Sequence, residues 1–155
     1  LGELLVDVAN YSHAHNGPGV VLVGDACDYY MDESDGRRGL LFSRKRHAPP
    51  PEERLKDAFI RALSACRLLE GEEALKGRLA FDGREVLLKI VDRLETSNSD
   101  SFLETIRPEL EPFLKELYAG APVELTRIGS PKDLFSVCIR AGAAPSVETL
   151  LERLG

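Results

Sequence analysis

Three consecutive prolines, Pro49-Pro50-Pro51, divide the chain into stretches of different hydrophobic period. Proline lacks the backbone N–H and fixes φ near −65°, so no strand runs through three of them. Whatever sheet pairing precedes residue 49 must end there. The next stretch is helical: Leu55, Ala58, Phe59, Ala62, Leu63, Cys66 and Leu69 recur at i, i+3, i+4 and i+7. Glu52 and Glu53 stand where the helix dipole favours anions. The pattern predicts a helix over 52–70, closed by Gly71.

Before the prolines the apolar runs are short. Val20 to Val23 is β-branched and reads as a buried strand. Tyr29 to Ser43 reads as a hairpin, with Ser34-Asp35-Gly36 at the turn and Leu40, Leu41 and Phe42 opening the return strand. Leu1 to His15 fits a helix, with Leu4, Leu5, Val8 and Tyr11 on one face. Asn16-Gly17 supplies its left-handed stop and Pro18 prevents continuation.

After residue 71 the pattern predicts a second hairpin: Leu79 to Phe81, a type I′ turn at Asp82-Gly83, then Arg84 to Leu94 with Val86, Leu88 and Ile90 alternating. Ser101-x-x-Glu104 is a capping box opening a helix toward Tyr118, which Pro108 and Pro112 should kink or restart. Val123 to Ile128 and Leu134 to Ile139 pair around Ser130-Pro131-Lys132-Asp133. Phe135, Val137 and Ile139 face in, while Ser136, Cys138 and Arg140 face out. Ser146 to Leu154 closes the chain with Val147, Leu150, Leu151 and Leu154 on one helical stripe. The expected order is α-ββ-α-ββ-α-ββ-α: an α+β chain with a mainly antiparallel sheet built from hairpins and helices packed on one face. Its 155 residues suit one core better than two, so a single domain over 1–155 is expected.

A 43% hydrophobic, 30% charged composition is that of a globular chain. No apolar run approaches the roughly 20 residues of a membrane span, and the apolar start at Leu4, Leu5 and Val6 is cut by Glu3 and Asp7. No membrane partner is expected. A net charge of −6 disfavours non-specific contact with nucleic acid. Cys27, Cys66 and Cys138 are odd in number and widely spaced, which argues against a disulfide framework and for a reducing, cytoplasmic location.

Chemistry-bearing residues concentrate around the first predicted strand: His13, His15, Asp25, Cys27 and Asp28. Paired histidines beside acids suggest metal binding, and a cysteine near a histidine suggests a nucleophile. Against both, histidines two apart on a helix diverge by about 200°, and neighbouring aspartates raise a thiol pKa. Aligning Gly36 with the glycine of a calcium loop puts Met31 at the first ligand position, which fails. Gly17 and Gly19 precede the strand, where no phosphate loop places its glycines. No cofactor and no metal are expected.

The one basic concentration is Arg37, Arg38, Arg44, Lys45 and Arg46, interleaved with Tyr29, Tyr30, Met31 and Phe42. Aromatics, Met and Arg are enriched at protein interfaces, whereas Lys and Arg also guard exposed strand edges. The sequence therefore suggests a non-catalytic interaction module, or a subunit of a larger complex. It would meet a protein partner or a second copy through the 29–46 hairpin. A small hydrolase or transferase built on residues 13–28 is the alternative from another class. A nucleic-acid accessory domain using the basic stripe at 37–46 is the third.

Overall fold

The computed structural model describes residues 4–15, 17–33, 38–92, 94 and 96–155. The chain is α+β, with a four-stranded antiparallel sheet, a three-stranded antiparallel sheet and three α-helices. It forms two compact units that meet in sequence between Phe81 and Asp82.

The first unit is a meander of four strands in sequence order: β1 (Leu5–Asn10), β2 (Val20–Gly24), β3 (Cys27–Asp32) and β4 (Gly39–Arg44). The 29–43 hairpin forms as the alternation predicts, in the register Tyr29↔Phe42 and Met31↔Leu40. Its expected turn, Ser34-Asp35-Gly36, lies outside the described residues, as does the Asn16 of the expected helix stop. Gly19 adopts φ +68°, and a Cβ there would sit 2.1 Å from the Met31 carbonyl oxygen, so only glycine fits.

The expected helix over 1–15 is instead β1, an edge strand paired with β2. Residues 4, 5, 8 and 11 fit a helical stripe, but Val6 and Val8 are β-branched and pair well on a pleated surface. Pairing with the Val-rich β2 then decides the matter, and the Tyr11 N–H donates to the Gly19 carbonyl at 2.7 Å to close the ladder. Local periodicity lost to a partner it could not see.

After the prolines comes α1 (Pro51–Gly71), with Pro51 in its first turn, where the missing N–H costs nothing. Phe59, Leu63 and Cys66 of the expected stripe are buried and its Leu55, Ala58, Ala62 and Leu69 half-buried, while Ala65, outside it, is buried and Arg67 is exposed. The helix packs against β4. Ala65 joins Cys27 and Tyr29 in a core cluster that Leu22, Leu40 and Phe42 extend.

The second unit holds β5 (Glu85–Ile90), α2 (Asp100–Leu117), β6 (Val123–Arg127), β7 (Phe135–Ala141) and α3 (Val147–Leu154). Its sheet order is β5-β7-β6, so β7 is central. Phe135, Val137, Ile139 and Ala141 are buried at period two, and Arg140 is exposed. Ser136 departs from the expected outward set, being buried as well. The 123–139 hairpin closes around Ser130-Pro131-Lys132-Asp133 as predicted.

Two expectations fail here. Asp82-Gly83 is not a hairpin tip: the expected strand over Leu79–Phe81 does not form, and β5 pairs with β7, in the register Val86↔Ile139 and Leu88↔Val137. Asp82 instead folds back on Arg84, accepting from its backbone N–H at 3.0 Å and its guanidinium at 2.8 Å. Gly83 serves close approach rather than a left-handed turn. A Cβ would meet the Pro145 carbonyl oxygen at 2.1 Å, and the Tyr118 hydroxyl donates to the Gly83 carbonyl at 3.0 Å. In addition, α2 runs unbroken through Pro108 and Pro112. Each proline removes one bond, to the Glu104 and Pro108 carbonyls, and all three residues lie on the exposed face. On the other face Leu103, Leu110, Leu114 and Leu117 are buried and hold the helix together. Its N-cap is Ser99, two residues before the expected box, whose side chain accepts from the Phe102 N–H.

The observed order is therefore ββββ-α-β-α-ββ-α, with a 3-10 turn at Glu73–Leu75 after α1.

Candidate functional site

The five residues singled out near the first strand fall into three places. His13 and His15 are exposed on the β1–β2 connection. Asp25 sits in the β2–β3 turn, at the far end of β2, a separation of ~13 Å along the strand. Its carboxylate accepts from the Arg46 guanidinium at 3.3 Å. Cys27 and Asp28 are neighbours in β3 and so point to opposite faces. The Cys27 side chain is buried with Tyr29 and Ala65 beneath α1. Asp28 is buried on the other face, where it accepts from the Gly24 N–H (3.2 Å), the Tyr30 hydroxyl (3.2 Å) and the Lys45 ammonium (2.7 Å). Lys45 also donates to the Gly24 carbonyl at 2.7 Å, which ties the β2–β3 turn to the end of β4. The histidines and the acids do not converge. Among the described residues, no group of three His, Cys, Asp or Glu side chains could hold a metal ion.

The basic stripe is committed to the fold. Arg44 pairs with Asp57 of α1 and lies 5.5 Å over the Phe42 ring. Lys45 and Arg46 hold Asp28 and Asp25, and Arg38 pairs with Glu33 at 2.6 Å. Arg37 lies outside the described residues. Of the interleaved aromatics, Tyr29 is buried and meets Phe42 at 5.4 Å between centroids with the rings tilted by 54°, while Tyr30 and Met31 are half-buried. The Tyr29 hydroxyl is buried without a hydrogen bond. Burial, reinforced by the Cys27 thiol, pushes its pKa up to about 12.

Burial also pushes the Cys66 thiol up to about 12, with the Glu70 carboxylate adding to the effect, and the Tyr118 phenol to about 12. For groups whose folded pKa is raised, the contribution to stability is complete below the unfolded value and is lost as pH rises through the folded one. Stability should therefore fall between about pH 9 and 12, which thermal melts across that range would show. In the native state at pH 8, Cys66 should resist iodoacetamide, as mass spectrometry of the tryptic peptide would report. Rapid alkylation of Cys66 there would mean that α1 opens locally.

What the sequence did not signal is an apolar surface on β1 and its neighbour. Leu4 is 73% exposed, Val6 66% and Val8 63%, and Leu5, Tyr11 and Val20 are exposed beside them. Of these, Leu4, Leu5, Val8 and Tyr11 were expected to lie on one face of a helix, and Val20 to open a buried strand. The available signal was negative: from Leu4 to Tyr11 only Asp7 is charged, too little for the wet face of an amphipathic helix.

A groove of about 480 Å³ runs along α1, lined by Asp57, Ile60, Arg61, Ser64, Arg67 and Leu68. Asp57 accepts from both Arg44 and Arg61. Arg61 also stands beside Tyr29 and Cys27 of β3, so this side of the helix faces inward across the sheet from β4.

The architecture defines an α+β chain of two sheets, with exposed apolar side chains on an edge strand. The chain matches no family model, no curated protein and no solved structure.

Proposed function

We propose that the chain is a non-catalytic protein-interaction module, a subunit of a larger complex, and that its main contact runs through β1 and the sheet face shared with β2. The observation that carries this reading is the exposure of Leu5 and Val8 of β1 and Val20 of β2 on one face of the sheet at its edge, with Leu4, Val6 and Tyr11 exposed nearby in the chain. A strand edge with this little charge invites pairing unless it is guarded, and large exposed apolar patches mark interaction sites. The other edge of the sheet is β4, the return strand of the 29–46 hairpin. Its neighbouring cations are engaged within the chain, which favours β1 as the principal contact. A catalytic reading has no comparable support, because His13 and His15 lie away from Asp25, Cys27 and Asp28.

The test is Val8→Asp with Val6→Lys. Both side chains are exposed, so the urea midpoint should shift by less than about 0.5 kcal/mol equivalent. Self-association in sedimentation, or recovery of a stoichiometric partner from the native cell, should drop at least about tenfold, a loss of 1.4 kcal/mol or more. Unchanged association with unchanged stability would remove β1 from the interface and return the reading to the 29–46 hairpin.

A further inference from the structure

We infer that Asp7 closes the free edge of β1 against strand addition, so that a second copy of the chain does not extend the four-stranded sheet through it. The inference goes beyond the reading above. It concerns the backbone edge of β1 rather than the face shared with β2, and it holds whatever partner that face takes.

The ladder fixes which backbone groups lie on that edge. In an antiparallel pair, residues whose N–H and C=O point to the partner alternate with residues whose groups point away. The Tyr11 N–H donates to the Gly19 carbonyl, one step beyond the Asn10↔Val20 pair, so Tyr11 points to β2. Counting back, Ala9 and Asp7 point to β2, and Asn10 and Val8 point to the free edge. From the other end, the Asp25 N–H donates to the Leu4 carbonyl at 3.0 Å, so Leu4 points to β2 and Leu5 to the edge. The two counts agree because Val6 is the extra residue of a bulge, where the register passes from Leu5↔Gly24 to Asp7↔Val23.

Two obstacles stand on the edge so defined. The Asp7 carboxylate accepts from the Val8 N–H at 2.8 Å and so occupies the donor at the middle of the edge. An incoming strand must bring a carbonyl oxygen to that N–H, where it meets a carboxylate instead. The bulge spaces the edge residues by three and then two, at Leu5, Val8 and Asn10, whereas a regular strand offers its groups every second residue. A strand aligned on Val8 and Asn10 therefore misses Leu5. The need for such a guard is written in the sequence. Leu4 to Ala9 reads Leu-Leu-Val-Asp-Val-Ala, which without Asp7 is an uncharged, proline-free run of the kind that stacks strand on strand. Leu5, Val6 and Val8 are exposed, so the run is open to solvent and its one charge is what keeps it single.

The probes are Asp7→Ala and Asp7→Asn, each made in the whole chain. Asparagine keeps an oxygen that accepts from the Val8 N–H and loses only the charge, whereas alanine loses both. Asp7 is exposed, so both variants should stay within about 0.3 M of the wild type in urea midpoint. Self-association is read by sedimentation velocity across a dilution series. Asp7→Ala should associate at a concentration at least about tenfold lower than the wild type, which one freed backbone donor suffices to supply. Asp7→Asn should stay within about threefold of the wild type, because its cap on Val8 remains. An alanine variant no more associated than the wild type would overturn the inference. Equal association of the two variants would overturn it as well, since the charge alone would then be acting and not the bond to Val8. Neither result bears on the face, which the Val6→Lys and Val8→Asp pair tests separately.

Discussion

Phe135→Ala should cost about 3–5 kcal/mol, a large share of the roughly 5–15 kcal/mol that holds a chain of this size folded. Phe135 is 0% exposed at the start of the central strand of its sheet, opposite Ile90. Its ring meets Phe102 of α2 edge to face at 4.8 Å between centroids, so truncation removes an aromatic pair as well as volume. The surrounding strand is held by ladder bonds to both neighbours and cannot collapse into the space. With an m-value near 2 kcal/mol/M the urea midpoint should fall by roughly 2 M. Phe135→Leu, which keeps most of the volume, should cost less than about 1.5 kcal/mol. A loss below about 1 kcal/mol for the alanine variant would place Phe135 outside the core, and the assignment of β7 as the central strand would need revision.

That position was legible in the sequence because β7 satisfies two conditions at once. Its apolar residues alternate, and its turn chemistry binds it to the adjacent β6, so local pattern and nearest partner agree. The same holds for α1, where the period of 3.6, the prolines at the start and the glycine at the end point one way. Legibility ended where the partner is distant in sequence. Asp82-Gly83 carries strong hairpin chemistry, but Gly83 is a glycine because Pro145 and Tyr118 approach its backbone from far along the chain. β1 failed for a related reason. Leu4, Leu5, Val8 and Tyr11 fit helical spacing while Leu4, Val6 and Val8 alternate as in a strand, and only β2 decides between the readings. In α2 the prolines looked like a break because the sequence cannot show that both carbonyls they orphan face solvent.

The candidate site divides in the same way. The concentration of Arg and Lys at 44–46 was visible as composition, but its meaning depends on what lies opposite. Asp57 is thirteen residues from Arg44 and Asp28 seventeen from Lys45, and neither pairing is implied by local spacing. Each pair consumes a cation that would otherwise serve a partner. The apolar edge of β1 was visible as the residues Leu4, Leu5, Val6 and Val8, and it was misplaced because a hydrophobic stripe is ordinarily read as buried. An uncovered stripe is a property of the sheet's width against the number of helices that cover it, which no local window contains.

The second large effect is expected at Asn98, which packs just before α2 and is 1% exposed. Its side-chain amide donates to the carbonyls of Ile128 (2.8 Å) and Ser130 (2.9 Å), and its carbonyl oxygen accepts weakly from the Ser136 N–H at 3.5 Å. One side chain thus anchors the β6–β7 connection to the start of α2. Gly129, at φ +83°, wraps around it: a Cβ there would come within 3.2 Å of the amide nitrogen. Asn98→Ala leaves these groups without their partner and should cost about 2–4 kcal/mol, from two lost hydrogen bonds and their desolvated remnants. Asn98→Asp keeps the shape but turns the donor into a carboxylate facing two carbonyls, so it should be worse than alanine at pH 7. Such a carboxyl has its folded pKa raised above the unfolded value. Stability is therefore retained below the unfolded pKa and lost as pH rises through the folded one. The deficit of Asn98→Asp relative to Asn98→Ala should narrow as the pH is lowered toward about 4, which urea melts at several pH values would show. The connection has a competing support of its own, because the Ser130 N–H donates to the Asp133 carboxylate at 2.6 Å and the Asp133 N–H to the Ser130 carbonyl at 3.0 Å. If Asn98→Ala costs under about 0.5 kcal/mol, those two bonds alone hold the turn and the buried amide is a passenger.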